Sequence, residues 1–145
     1  MDNFSRNKQN ELSFSIIYSF IVLEEMKEKV DVASLIGDHC GLPYEEVDIY
    51  IKEVVLKCIK QYDELKKIIE ANLIKWRYER VSTINKAILM YGLTNGLYMN
   101  SIEKKVIIDV AVSLSKKFGE EGDYKFINAV LDKTIWQNPI LLSLN

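Results

Sequence analysis

The 145-residue chain is poor in residues that interrupt regular structure: it has two prolines and six glycines, none gathered into a linker, so nothing marks a second domain or an internal repeat. Two cysteines, Cys40 and Cys58, and one histidine, His39, are too few for a disulfide framework or a four-ligand zinc site. Lys and Arg number 19 against 21 Asp and Glu, a net charge of -2, which excludes a polyanion binder acting through a strong overall positive field. Any nucleic-acid contact must therefore be local. Apolar runs are only a few residues long, far short of the ~20 that cross a bilayer. Asn, Gln and charged residues crowd positions 2 to 11, unlike a secretory signal. The expectation is a protein of the reduced cytoplasm with no membrane segment.

What the chain does have is apolar substance. Hydrophobic residues make up 48% and charged residues 28%, too apolar for a disordered chain. A chain of this length buries roughly 68 to 70% of its unfolded surface as one domain, here 1–145. The periodicity is helical throughout. Phe14, Ile17 and Ile21, widened by Ile16, Phe20 and Leu23, predict a first helix from about 7 into the high twenties, buried on most sides. Val32, Leu35 and Ile36 predict a short second helix ending near Gly37 or Gly41, and Pro43 with Glu45 and Glu46 marks a new start. Val47 to Tyr62 and Leu65 to Leu73 continue as one or two helices with a break near Gln61 to Asp63.

Ser82 or Thr83 can cap a helix carrying Ile84, Ala87, Ile88 and Tyr91, and its glycines Gly92 and Gly96 point to close helix packing. Ile107, Val110, Ala111, Leu114 and Phe118 form a further stripe that stops at Gly119, where a left-handed cap is easy. Asp123 can cap the last helix, which carries Ile127, Val130, Leu131 and Ile135 and runs to about Asn138 before Pro139. No segment alternates as a strand does, so the fold class is all-α, with six or seven helices.

Chemistry is sparse. The chain has neither G-x-G-x-x-G nor G-x-x-x-x-G-K-[ST], so no nucleotide cofactor is expected. Asp38-His39-Cys40 lacks enough companions for a metal and any orienting group for a nucleophile, and His39 reads as a loop histidine near a helix end. The pairs Glu24-Glu25, Glu45-Glu46 and Glu120-Glu121 read as solvated faces, because acid-base work needs a desolvated carboxylate. These features predict neither an enzyme, a metal nor a cofactor.

Lys116, Lys117 and Lys125 can converge on phosphate with Arg6 and Lys8 if the first and last helices adjoin. Phe126, between Lys125 and Ile127 and next but one to Tyr124, can stack a base beside a phosphate contact, or it can belong to the core. Trp76, Tyr78 and Arg80 face the same choice, and packing is the reading taken for them.

Residue strings carry a resemblance that periodicity does not. Trp76 to Arg80, Ala87-Ile88-Leu89, Lys116 to Gly119 and above all Lys125 to Lys133 resemble the NusB family of bacterial transcription antitermination factors over residues 5 to 135. The resemblance implies two small packed helical subdomains and an adaptor rather than an enzyme. It also implies a boxA-type single-stranded RNA element as ligand and, as partner, the ribosomal small-subunit protein that doubles as NusE, within the RNA polymerase antitermination complex. Ser5-Arg6-Asn7-Lys8 stands where the family has an arginine-rich start, and Ile17-Tyr18 where it has a Leu-Tyr pair. Arg6, Lys8, Tyr18, Lys116, Lys125 and Phe126 inherit the RNA role by this likeness. Asn128 also matches, but reads equally as a helix-to-helix hydrogen-bonding residue.

The chain departs from the family at Met90 and Asn95, where an arginine and a glutamate are common, and at Asp109-Val110, where the family has Asn-Glu. With the thin basic start, these departures imply weaker RNA binding and an altered partner surface. A protein-only helical adaptor is the alternative. Some relatives dimerise, which adds a homodimer to the states expected. Family members fused to RNA methyltransferases offer no parallel, since this chain has no room for a catalytic part.

Overall fold

The computed structural model describes residues 4–74, 76–99 and 102–135, and among these there are seven α-helices and no strand. Helix α1 (Arg6–Glu25) starts at Ser5, whose Oγ accepts the Lys8 N–H at 3.2 Å. Its buried positions run from Asn10 and Leu12 through Phe14, Ile16, Ile17, Phe20 and Ile21, which is more than a single stripe. Helix α2 (Val32–Cys40) is capped by Asp31 and stops at Gly41, which takes the left-handed φ of 65°. Gly37 lies inside that helix, where a Cβ would sit 2.8 Å from the Leu42 carbonyl oxygen as the chain folds back.

Pro43, Glu45 and Glu46 do not open a long helix. They form one 3-10 turn, Tyr44–Glu46, after which Val47 is extended (φ -70°, ψ 144°) and buried. Anchoring Val47 in the core interrupts the helical run, and α3 (Ile49–Lys60) starts afresh at Asp48, whose Oδ1 accepts the Tyr50 N–H at 2.9 Å. The break before α4 (Tyr62–Ala71) is one residue wide, at Gln61.

Helix α5 (Thr83–Thr94) is capped by Ser82 and continues into a wider π turn over Asn95–Met99. Every residue from Asn85 to Thr94 is buried. Helices α1, α3 and α4 lie against one side of α5, and α6 (Lys104–Phe118) and α7 (Asp123–Thr134) against the other. The two packed halves thus share α5, and side chains of all seven helices join one apolar cluster.

A helix buried on every side must place its polar groups with partners. Lys86, 3% exposed, sets its Nζ 2.5 Å from Glu25 Oε2 and 4.9 Å above the Tyr78 ring. Removing one partner of a buried pair leaves an uncompensated charge, worth about 3 kcal/mol or more in dry surroundings; Glu25 is partly solvated, which lowers that figure. Thr94 Oγ1 donates to the Met90 carbonyl at 2.7 Å.

Two expected helix ends are corrected by local geometry. Gly119 is extended (φ -88°, ψ -175°) rather than left-handed, and what excludes a side chain there is the Ser115 carbonyl oxygen 2.8 Å from an added Cβ. Gly122, at φ 89°, takes the left-handed conformation instead. Asp123 is the first residue of α7 and not its cap; its Oδ2 accepts the Glu120 N–H at 3.1 Å and closes the preceding turn. The expected end near Asn138 and Pro139 lies outside the described residues.

The expected close packing at the glycines holds at α7. A Cβ on Gly92 would meet Leu131 Cδ1 at 3.0 Å, and one on Gly96 would meet Ile135 Cγ1 at 3.1 Å. Gly92→Val adds three carbons where a flexible leucine can give way for only one, so it should destabilise the protein by about 1–3 kcal/mol. A thermal melt reads this directly, and an unchanged Tm would contradict so close an approach of α5 and α7.

Candidate nucleic-acid interface

Four depressions mark the surface, in two overlapping pairs. The first, about 420 Å³, lies between α1, α5 and α6 and is lined by Arg6, Asn10, Tyr50, Tyr91, Asn95 and Val106, among others. The second, about 340 Å³, shares Asn10, Val106 and Val110 with it and adds Asn7, Glu11, Ser113 and Lys117 along the α1–α6 furrow. The largest, about 770 Å³, is walled by Tyr18, Trp76, Arg80, Asn85, Phe118 and Phe126. The last, about 380 Å³, shares Trp76 and Phe126 and adds Leu73, Ile74 and Val130.

Tyr18 and Phe126 therefore meet in one cleft although they come from opposite ends of the chain. Tyr18 is half-buried on α1, and Phe126 is half-buried on α7, packing partly on the core and partly lining the cleft. Phe14 and Phe118 close its floor, ring centroids 5.3 Å apart. Trp76 is 60% exposed and Ile74 84%, both in the segment between α4 and the 3-10 turn Tyr78–Arg80. The packing role expected of Trp76 is thus wrong, while Tyr78 is a core residue whose hydroxyl lies 3.0 Å from that of Tyr62. Trp76 and Ile74 fit no helical stripe and stand among charged neighbours, which was the available signal.

The cations stand at separate places: Arg6 lines the first depression, while Lys8 lies toward Cys40 of α2. Lys116 is exposed and sets its Nζ 4.7 Å over the Tyr124 ring, and Lys125 is exposed on α7. Arg6 and Lys8 are exposed at the start of α1, with the Arg6 guanidinium 4.8 Å over Tyr50. Among the described residues none of these four has a carboxylate in ion-pair range, whereas Lys117 is paired with Glu11. Arg6 and Tyr18 are twelve residues apart on one helix, or about 18 Å along its axis. The candidate residues are thus two groups, one about the Tyr18–Phe126 cleft and one at the start of α1, and not a single knot.

Beneath Arg6 sits a polar network that sequence reasoning missed. The hydroxyl of Tyr91, in the middle of α5, lies 2.5 Å from the Asn10 side-chain amide and 2.9 Å from the Tyr50 hydroxyl. Tyr50 donates to Asn95 Oδ1 at 2.7 Å, and Asn95 Nδ2 donates to the Tyr91 carbonyl. Asn95 is therefore buried structure and not altered partner surface, and so is Met90, wholly buried in the core. Asp109 is exposed and Val110 half-buried, so that departure does lie on the surface. Asn85 was missed as well: it lines the largest cleft, and its Oδ1 is buried without a partner, a state that costs about 1–3 kcal/mol.

His39 has ordinary structural work, with Nδ1 3.0 Å from the Leu35 carbonyl and Nε2 3.1 Å from Ser19 Oγ. No cluster of three metal-ligating side chains occurs among the described residues. Nor is any helix there long and apolar enough to cross a membrane.

The sequence model of the NusB family matches residues 8–135. The chain belongs to the NusB family. The transcription antitermination protein NusB of Treponema denticola is 37% identical over 84 residues, 58% of this chain and 62% of that protein. That of Bacillus mycoides is 29% identical over 126 residues, 87% of this chain and 93% of that one. Among solved structures, Thermotoga maritima NusB has the same fold at a TM-score of 0.79, covering 94% of each chain at 20% identity. A chain from a crystal structure of the antitermination factors NusB and NusE with double-stranded RNA superposes with a TM-score of 0.76, covering 91% of this chain and 96% of that one at 20% identity. The all-helical NusB fold carries the clefts described above.

Burial gives this fold a pH signature. It pushes the Cys58 thiol up to about 12 and raises the Tyr62, Tyr78 and Tyr91 phenols well above their ordinary value. Unfolded, these groups lose protons first, so stability is full below about pH 9 and falls as pH rises toward 12, by up to about 1.4 kcal/mol per group per pH unit. Urea midpoints should hold from pH 8 to about 9 and fall from there to pH 11, and a flat profile throughout would contradict the buried phenols.

Proposed function

We propose that residues 1–145 act as one RNA-binding unit of the transcription antitermination machinery, holding single-stranded RNA of boxA type together with a NusE-type ribosomal protein. The observation that carries this reading is the cleft lined by both Tyr18 and Phe126, which come from opposite ends of the chain, with Lys116 and Lys125 exposed on α6 and α7, two of the helices that contribute to its wall. Half-exposed aromatic rings offer faces to unpaired bases, and the four exposed cations Arg6, Lys8, Lys116 and Lys125 offer local phosphate contacts despite the net charge of -2. Two contact groups about 18 Å apart along one helix suit a strand of several nucleotides and not a mononucleotide.

The protein then works by binding and positioning in the cytoplasm, within the polymerase-bound complex, and makes or breaks no bond itself. Partner and RNA share a surface, so each should raise the affinity of the other by the same factor. Self-association into a homodimer is one way to cover Trp76 and Ile74 when no partner is bound.

Fluorescence anisotropy of labelled boxA RNA, with and without the NusE-type partner and against a scrambled RNA, tests this. Specific binding strengthened by the partner is the expected result; partner binding without any RNA preference would move the protein to the protein-only adaptor reading. Phe126→Ala should weaken RNA binding about 5- to 100-fold, the loss of one stacked base at about 1–3 kcal/mol. Arg6→Ala should reduce the salt slope of log K by about 0.7 and leave Tm nearly unchanged. Phe126→Ala with a collapsed Tm and normal RNA affinity in the folded fraction would assign Phe126 to the core alone.

A further inference from the structure

The largest cleft is lined by Asn85, whose side-chain oxygen is enclosed and has no hydrogen-bond partner among the described residues. Asn85 stands in the first turn of α5 and is 6% exposed; its backbone N–H donates to Ser82 Oγ, yet its side-chain Oδ1 is buried with no hydrogen-bond partner. Buried side-chain oxygens are as a rule paired, and one left unpaired beside an aromatic cleft is an acceptor waiting for a donor. Tyr18, Trp76, Phe118 and Phe126 line the same cleft. Its charged groups are divided: Arg80 stands just ahead of α5, while Glu120 and Asp123 stand at the corner between α6 and α7.

We infer that this cleft takes one unpaired nucleobase bearing an exocyclic amino group, and that Asn85 Oδ1 accepts a hydrogen bond from that amino group. The inference rests on the RNA-binding reading and adds base selection to it. The aromatic walls accept any base, because every base has a π face. Selection comes from the polar groups. Asn85 Oδ1, Glu120 and Asp123 are all acceptors, and the amino group of adenine, cytosine or guanine brings two N–H donors to them. Uracil brings one ring N–H flanked by two carbonyl oxygens, which would face those acceptors unfavourably. The terminal torsion of asparagine is broad, so the amide can present its oxygen to the cleft without moving the α5 backbone. The phosphates run on the Arg80 side, away from the two carboxylates.

Binding of labelled oligoadenylate, oligocytidylate and oligouridylate to the full chain, the Asn85→Leu variant and the Asn85→Ala variant tests the assignment. The unaltered protein should bind the adenylate and cytidylate probes about tenfold more tightly than the uridylate, about 1.4 kcal/mol. Asn85→Leu should erase that preference while its Tm holds or rises, since it removes an unpaired buried acceptor. Should the leucine not fold, Asn85→Ala gives the same readout. Phe126→Ala should weaken all three probes alike. Binding without base preference, or a preference that survives both Asn85 variants, overturns this inference and leaves RNA binding standing. Absence of binding to every probe overturns base selection at this cleft, while the boxA measurement with the NusE-type partner decides the RNA reading separately.

Discussion

Everything in this molecule is arranged around a helix with no face to water. From Asn85 to Thr94, α5 is enclosed by α1, α3 and α4 on one side and by α6 and α7 on the other. Such a helix gains the hydrophobic burial of its whole circumference, and its buried polar side chains other than Asn85 are answered by specific partners. Glu25 answers Lys86, the α5 carbonyl of Met90 answers Thr94, and Asn10 and Tyr50 answer Tyr91. Glycine does the steric part at position 92, letting Leu131 come within reach of the backbone.

The same enclosure shapes the functional face. Two of the clefts, the α1–α6 furrow and the one at the start of α5, lie where helices of the two packed halves meet. That seam brings Tyr18, near the start of the chain, beside Phe126, near its end. The proposed RNA surface is therefore a by-product of how two helical layers close over a shared axis. Its aromatic and cationic parts come from different helices, and only the fold puts them in order.

Much of the fold was legible in the sequence. Periodicity located most of the helices, a break near Gln61 to Asp63 that narrows to Gln61, and the close packing at Gly92 and Gly96, and it left Ser82 or Thr83 as the cap that proves to be Ser82. Errors arose where tertiary demands outranked local signals. Pro43 with two glutamates is a sound helix start, but burying Val47 forces extended backbone just after it. Gly119 was read for handedness when its reason is the nearby Ser115 carbonyl, a contact between residues of one turn that no composition reveals. The candidate site was less legible. The family likeness pointed to Tyr18 and Phe126, whose meeting sequence cannot display, and it left Trp76 and Asn85 aside because exposure and a missing partner are properties of three-dimensional placement.

The network under Arg6 contains a proton shortage. Three short contacts link Asn10, Tyr91, Tyr50 and Asn95, yet the two phenols have only two hydroxyl hydrogens between them, one directed to Asn10 and one to Asn95. The Tyr50–Tyr91 contact is then two oxygens facing each other with lone pairs alone. Rotating the Asn10 amide end for end removes the deficit: its N–H points at Tyr91, Tyr91 points at Tyr50, and Tyr50 points at Asn95 in one directed chain. Asn95 cannot reverse in exchange, because its own N–H is committed to the Tyr91 carbonyl. The orientation of an amide at the edge of α1 is thereby dictated from the far end of α5, by a rule of hydrogen order and not by contact.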